Sequence, residues 1–327
     1  MVMAQSLFIA LKQQYPEAKI DVLAPAWSRA LLDRMPEVNQ AIEMPLGHGN
    51  FGFKERKSLG RQLRNTQYTQ SIILPNSWKS ALTPWFANIP IRTGWKGEAR
   101  YFLLNDLRKL DKNTLPLMVQ RFVALAYNRN HKRPLKSNDC PTPKLIANNH
   151  NKVKLIKQLK LNTNKKILVI CPGAEFGPAK QWPADYYGQV ASYAITHNWQ
   201  VWIMGSQADK DIAEEVLGSI NTKNHIDDVK NLCGKTRLED AIDLMDLGDH
   251  IVSNDSGLMH IASALNKPLT ALYGATSPKF TPPLSKSAAI IATDVDCGPC
   301  FKRHCPEGHH KCMNELLPDK VINSIFN

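Results

Sequence analysis

Long apolar runs are missing from this chain of 327 residues. No stretch approaches the roughly 20 apolar residues that a membrane-crossing helix needs. The N-terminal MVMAQSLFIALKQQYP has neither the basic start nor the small-residue cleavage site of a secretory signal. Met1, Ala4, Leu7, Phe8 and Leu11 instead recur at the spacing of an amphipathic helix. An even cysteine framework is missing too. There are 7 cysteines, and Cys140, Cys171 and Cys233 each stand alone. An odd count without a signal argues against a disulfide scaffold and for a cytoplasmic protein. Nucleic-acid motifs and internal repeats are absent, so no nucleic-acid partner is expected. A last absence concerns order. A doubly wound domain normally opens with a strand, a Gly-rich turn and then a helix. This chain opens at the helix, so the first strand and its turn are expected to be missing.

What is present is a globular composition, 43% hydrophobic and 21% charged, with a net charge of +12. Such a balance suits an anionic partner such as a phosphorylated substrate or a membrane surface. The basic residues gather at Lys54–Lys57, Lys109–Lys112, Arg129–Lys136 and Lys152–Lys166. A solvated surface explains each cluster taken singly.

Strand and helix patterns alternate through the N-terminal half. The spacing predicts strands at Lys19–Ala24, Gln40–Met44, Ser71–Leu74 and Ile91–Gly94. Helices are predicted at Ser28–Arg34, Lys54–Asn65, Ser77–Ala87 and Pro116–Tyr127. Residues 129–150 are polar, carry Pro134, Pro141 and Pro143, and read as a linker. A second series follows, with strands Lys166–Ile170, Gln200–Met204 and Val229–Leu232 and helices Ala184–His197, Ala208–Ser219 and Leu238–Leu247. The expectation is an α/β protein of two domains, residues 1–150 and 151–327, each with a parallel sheet. Two such domains of similar size suggest a cleft between them.

The most informative stretch is 249–278, DHIVSNDSGLMHIASALNKPLTALYGATSP, which reads as a βαβ unit. Its polar turn lies at the carboxyl end of a parallel strand, where open α/β sheets bind ligands. Asp255, Ser256 and Gly257 at a helix start offer free backbone N–H groups to an anion such as a diphosphate. His260 falls on the first helical turn, facing the same mouth. The competing reading makes Asp255 or Ser256 a plain N-cap. Upstream, ICPGAEFGPAKQWP (170–183) is a long turn whose Lys180 can meet phosphate as a point charge, or simply be a surface lysine. The Cys233-Gly234-Lys235-Thr236 stretch precedes another helix. Downstream, CGPCFKRHCPEGHHKC crowds Cys297, Cys300, Cys305 and Cys312 together, a set that can hold a structural zinc or consist of plain thiols.

These three stretches, SNDSGLMHIASALNKPLTALYGATSP, CPGAEFGPAKQWP and CGPCFKRHCPEGHHKC, resemble the bacterial ADP-heptose:lipopolysaccharide heptosyltransferases, glycosyltransferase family nine. The resemblance spans essentially the whole chain, and the Cys-rich segment points to the family's type II members. It implies the GT-B fold, two Rossmann-like domains facing across a cleft, with acceptor bound mainly on the first and nucleotide sugar on the second. By resemblance, Asp255, Ser256 and Gly257 hold the diphosphate and sugar of ADP-heptose, with His260 beside them. Lys180 matches a lysine on the donor phosphate, and Thr236 falls near the adenine and ribose pocket. The implied reaction is an inverting, cofactor-free transfer of L-glycero-D-manno-heptose to heptosyl-Kdo2-lipid A at the inner membrane. The family's general base is an aspartate in a Gly-Asp pair that directly precedes the helix beginning here at Met1. The base is therefore expected to be missing, through a late start site or a truncated gene. The alternatives are an inactive sugar-nucleotide or lipopolysaccharide-binding remnant and a nucleotide-sugar epimerase of the same fold.

Overall fold

The computed structural model describes residues 1–327 except 48, 130–134 and 222–225. Pro134 and part of the expected linker thus lie outside the described residues. The chain forms two compact units, Met3–Pro141 and Thr142–Asn327.

In the first unit, β1 (Ile20–Ala24) pairs in parallel with β2 (Val38–Glu43). A separate parallel sheet joins β3 (Gln70–Ile73), β4 (Ile91–Trp95) and β5 (Asp106–Arg108) in that order. The alternating pattern predicts one sheet, but two are present. Among the described residues, β1 and β3 each have a neighbouring strand on one edge only. A side-chain bond links the two pieces: Tyr68 OH donates to Asp21 Oδ2 at 2.6 Å. The first helix, Gln5–Gln14, buries Leu7, Phe8 and Ala10 as its apolar spacing requires. The Phe53–Leu63 helix lies close against Leu82–Phe86. A Cβ on Gly60 would come within 2.6 Å of the Thr83 carbonyl, so only glycine permits that approach. The segment expected as one helix over 77–87 is a 3₁₀ turn, Trp78–Ala81, followed by Leu82–Phe86. Ser77 makes no side-chain cap there.

The second unit holds one six-stranded parallel sheet. Its strands are β6 (Lys166–Cys171), β7 (Trp199–Ile203), β8 (Val229–Asn231), β9 (His250–Asn254), β10 (Leu269–Tyr273) and β11 (Ala288–Ala292). Their spatial order is β11-β10-β9-β6-β7-β8. This is the doubly wound order, and its switch point lies between β6 and β9. Helices cover both faces, so β9 and β10 are buried along their whole length; β10 reads as an apolar run, while β9 buries His250, Ser253 and Asn254 beside Ile251 and Val252. Trp182, Tyr187, Val190, Val201, Leu272 and Leu316 belong to the core. Residues 142–148, part of the expected linker, are packed rather than free. Leu145 is buried and its N–H bonds to the Ala264 carbonyl at 3.0 Å. Asn148 caps the Asn149–Gln158 helix, and its own N–H donates to Asp243 Oδ1 at 2.7 Å.

Candidate active site

Three loops converge at the carboxyl ends of β6, β9 and β10. The strand β9 ends at Asn254, whose side chain locks the turn. Its Nδ2 donates to the Pro172 carbonyl at 2.8 Å, and its Oδ1 accepts from Tyr187 OH at 3.0 Å. This ties the loop after β6 to the loop after β9, across the switch point. Asp255 follows and is buried, with its N–H bonded to the Leu272 carbonyl at 3.1 Å.

The Asp255 carboxylate is the hub. Lys180 Nζ lies 2.7 Å from Asp255 Oδ2 and also donates to the Asp255 carbonyl at 3.1 Å. Thr276 Oγ1 donates to the same Oδ2 at 2.6 Å. The ammonium stands 4.9 Å from the centre of the Phe176 ring, an added cation–π contact. Sequence reasoning missed Thr276 and Phe176. Thr276 lies in the ATSP turn after β10, and nothing in its residue type marks it as a ligand.

The helix Gly257–Ala264 begins directly after this hub. Ser256 occupies the N-cap position, yet its side chain makes no capping bond to the helix. It pairs instead with Ser253, the two hydroxyl oxygens 3.2 Å apart. The N-cap reading of Ser256 therefore does not hold, and its side chain leaves the first N–H groups of the helix available to an anion. A Cβ built on Gly257 would meet no atom within 4 Å, so the space in front of the helix is open. His260 lies one turn on and is partly buried. Burial pulls its imidazole down to about 4, against the opposing effect of the Asp255 carboxylate, so the ring is neutral at pH 7.

Of the residues singled out from sequence, the structure brings Lys180 and Asp255 into contact and places Ser256, Gly257 and His260 beside them. Thr236 is not brought to this cluster. It follows β8, the edge strand, with β7 and β6 between it and β9. The loops between are nonetheless tightly stacked. A Cβ on Gly173 would lie 2.3 Å from Asp209 Oδ1, and one on Gly205 would lie 3.0 Å from Cys233 Sγ. Asp209 Oδ2 in turn accepts from the Ser206 N–H at 2.7 Å, closing a capping box on the 3₁₀ turn Gln207–Asp209 that leads into the Lys210–Ser219 helix.

The Cys-rich set, open between a structural zinc and plain thiols, is brought together in the structure. Cys297, Cys300, Cys305 and Cys312 line one small cavity, yet no group of three or more Cys, His, Asp or Glu among the described residues is arranged to hold a metal. Burial foremost, and then the nearness of Cys297, Cys300 and Cys305, push the Cys312 thiol up. Cys300 Sγ is directed at the Ala275 carbonyl at 4.0 Å, and Cys312 Sγ lies beside Gly274. Cys305 faces the backbone N–H groups of residues 307–310, His310 foremost, which hold its thiol below the usual range. The segment acts as a brace instead. The Arg303 carbonyl accepts from Ala179 N–H at 3.1 Å, next to Lys180. Gly177 has φ +150°, and a Cβ there would fall 2.4 Å from that carbonyl. Phe301 N–H donates to the Ala275 carbonyl at 2.8 Å, next to Thr276. Both loops that reach Asp255 are thus held from behind.

Chemically, the cluster offers a cation, a hydroxyl and free helix N–H groups at one mouth, with a carboxylate whose Oδ2 takes two of those contacts. That set suits a ligand carrying both a diphosphate and sugar hydroxyls.

Comparison with known proteins gives a consistent result. A family model described as glycosyltransferase family 9 (heptosyltransferase) matches residues 56–311. The lipopolysaccharide heptosyltransferase 2 of Salmonella typhimurium is 46% identical, covering 100% of this chain and 94% of that protein. The lipooligosaccharide heptosyltransferase 2 of Haemophilus ducreyi is 48% identical over 99% of this chain and 94% of its own length. The solved structure of E. coli ADP-heptose lps heptosyltransferase II superposes with a TM-score of 0.82 at 45% identity, covering 98% of this chain and 96% of that one.

Proposed function

The chain belongs to glycosyltransferase family 9, the heptosyltransferases, and its fold is GT-B; from that premise we propose that it transfers a heptose from ADP-heptose to the inner core of lipopolysaccharide. The acceptor is heptosyl-Kdo2-lipid A, and the anomeric centre inverts in a single displacement. The Thr142–Asn327 unit binds the donor, and the Met3–Pro141 unit binds the acceptor. Among the described residues no helix is long and apolar enough to cross a membrane; with a lipid acceptor, the enzyme works as a peripheral protein on the surface that holds it.

The observation that carries this reading is the Lys180–Asp255–Thr276 cluster at the switch point of the sheet. In the displacement the bond from the anomeric carbon to the diphosphate breaks, and negative charge builds on the departing ADP. Lys180 and the N–H groups at the start of the Gly257–Ala264 helix are fixed before the reaction, so they stabilise that charge without reorganising. Lys180 shares its charge between Asp255 and the phosphate. Asp255 has Oδ2 engaged by Lys180 and Thr276 and takes sugar hydroxyl groups on Oδ1. It is a donor-binding residue and not the base. Neutral His260 adds a polar edge to the same mouth without adding charge. Thr236 contacts the nucleoside across the stacked loops after β6, β7 and β8.

The test mixes purified protein with ADP-heptose and heptosyl-Kdo2-lipid A and reads the mass of the lipid and donor binding by calorimetry. ADP-heptose bound more tightly than a UDP-sugar is the expected result, and any lipid product is heavier by one heptose residue. Failure of the folded protein to bind ADP-heptose refutes the proposal.

A further inference from the structure

The first unit carries an aromatic surface. Phe51 stacks on Phe53 at 6.2 Å and on Trp78 at 6.1 Å, with interplanar angles of 13° and 11°. Phe53 meets Phe86 edge-on at 5.5 Å, and Phe86 meets Trp85 at 4.8 Å. Five rings from three segments thus form one continuous cluster. It is rooted in the core at Phe86 and opens outward, with Phe51 51%, Phe53 42% and Trp85 42% exposed. Contiguous exposed apolar surface of this kind marks a contact site, because each ring left in water forgoes the free energy of burial.

The position of the patch is enforced from within the fold. Arg56 is buried, and its Nε donates to the Phe51 carbonyl at 2.7 Å. Arg64 Nε donates to the Phe86 carbonyl at 2.8 Å. The rim is cationic. Lys54, Lys57 and Arg61 lie on the Phe53–Leu63 helix, Arg64 follows it, and Lys79 is next to Trp78. Lys57 Nζ stands 5.9 Å from the centre of the Phe86 ring, and Lys79 Nζ donates to the Asn50 carbonyl at 3.1 Å. Two carboxylates lie nearby, Glu55 on the helix and Glu98, which accepts from the Trp78 N–H at 2.7 Å. The balance is strongly positive.

Rings flanked by lysine are the composition of a membrane-interface surface, where aromatic side chains sit at headgroup level and lysines meet anionic lipid. Protein–protein interfaces are depleted in lysine. We infer that the Phe51–Phe53–Trp78–Trp85 surface docks the protein on an anionic lipid bilayer, with Phe51, Phe53 and Trp85 entering the headgroup layer and Lys54, Lys57 and Lys79 meeting lipid phosphates. The inference takes from the proposed function only that the acceptor is membrane-borne, and vesicles without acceptor test it independently.

The experiment is co-sedimentation of the full chain with vesicles of phosphatidylethanolamine and phosphatidylglycerol (3:1), and with vesicles of phosphatidylcholine alone. Preferential binding to the anionic vesicles is expected, weakening as salt is raised. The F51S/F53S/W85S variant should lose binding by tenfold or more. K54E/K57E, which keeps the rings, should lose the preference for anionic lipid. Circular dichroism and urea unfolding establish that both variants are folded. Absence of binding by the wild-type chain, equal binding to both vesicle types, or unchanged binding by the folded triple variant overturns the inference. So does self-association of the wild-type chain, without vesicle binding, that the triple variant abolishes. That outcome would assign the patch to a second copy of the chain.

Discussion

Replacing Lys180 by alanine removes the cation that contacts Asp255 and, among the described residues, leaves Thr276 as the partner of Oδ2. Two effects follow from the geometry. The first is on stability. Breaking a fully buried ion pair costs about 3–5 kcal/mol, because a charge is left uncompensated. Here the side chains are 13% and 7% exposed and Thr276 stays in place, so about 2 kcal/mol is the appropriate size. The second effect is on the ligand. A charge-assisted hydrogen bond to phosphate contributes about 1.5–3 kcal/mol, which corresponds to roughly a 10- to 150-fold loss in affinity for ADP. Isothermal titration with ADP below the lowered melting temperature reads the second effect separately from the first. The Asp255→Asn variant provides the internal control. It frees Lys180 from its carboxylate, so ADP should bind at least as tightly as in the wild type. ADP-heptose should gain less or lose, because the acceptor of its sugar hydroxyls is weakened. If Lys180→Ala binds ADP within about twofold of wild type, or if Asp255→Asn loses ADP as severely as Lys180→Ala, the assignment of phosphate to Lys180 and sugar to Asp255 is wrong.

Gly257→Ala should leave thermal stability within about 0.5 kcal/mol, since nothing crowds a Cβ there. It should weaken ADP-heptose binding, and unchanged affinity would show that the open space is not donor space. Gly173→Ala places a Cβ 2.3 Å from Asp209 Oδ1, so urea unfolding should show a loss of about 1–3 kcal/mol from overpacking. Acid should destabilise the second unit. Burial draws both His250 and His260 down to about 4 from an ordinary value near 6.5. The unfolded chain therefore binds more protons than the folded one between those pH values. Stability should fall as pH drops from about 6.5 to 4 by up to roughly 1.4 kcal/mol per unit for each ring, and be flat with respect to these rings above 7. Urea midpoints of a His250→Gln/His260→Gln variant should lose most of that slope. Hydrogen exchange should be faster in β1 and β3, each paired on one edge, than in β9 and β10, paired on both.

Much of the second unit is legible in the sequence, because strands buried on both faces must be written as continuous apolar runs. KILVIC and LTALY identify β6 and β10 for that reason. Two edge strands escape the same logic. β11, AAIIA, has exposed Ala289, Ile290 and Ala292 and no charged alternation to reveal a face. β5, DLR, is three residues long and is tied to β4 by the Thr93 hydroxyl, which donates to Asp106, a contact between strands that no local pattern encodes. The split of the first unit into two sheets is likewise a matter of pairing, which local periodicity does not specify.

The site divides in the same way. Asp255, Ser256 and Gly257 are legible because strand, turn and helix start lie within one short stretch. Lys180 is legible only as a cation in a glycine-rich loop. Its contact with Asp255 spans 75 positions of sequence. Thr276 carries no motif and is recognised by its hydrogen bond alone. The Cys-rich segment shows the opposite failure. Its spacing suggests tetrahedral coordination, and its four cysteines do line one cavity, yet no metal-holding group is arranged among the described residues, and its carbonyl and N–H groups brace the Lys180 and Thr276 loops.

The most direct test of the proposed donor site is hydrogen exchange on the protein with and without ADP-heptose. Protection confined to Ala174–Phe176 after β6, Ser256–Leu258 at the helix start, and Ala275–Thr276 after β10 is the predicted result. Binding of ADP-heptose with no change at these amides, or with protection concentrated in the Met3–Pro141 unit, would contradict the account.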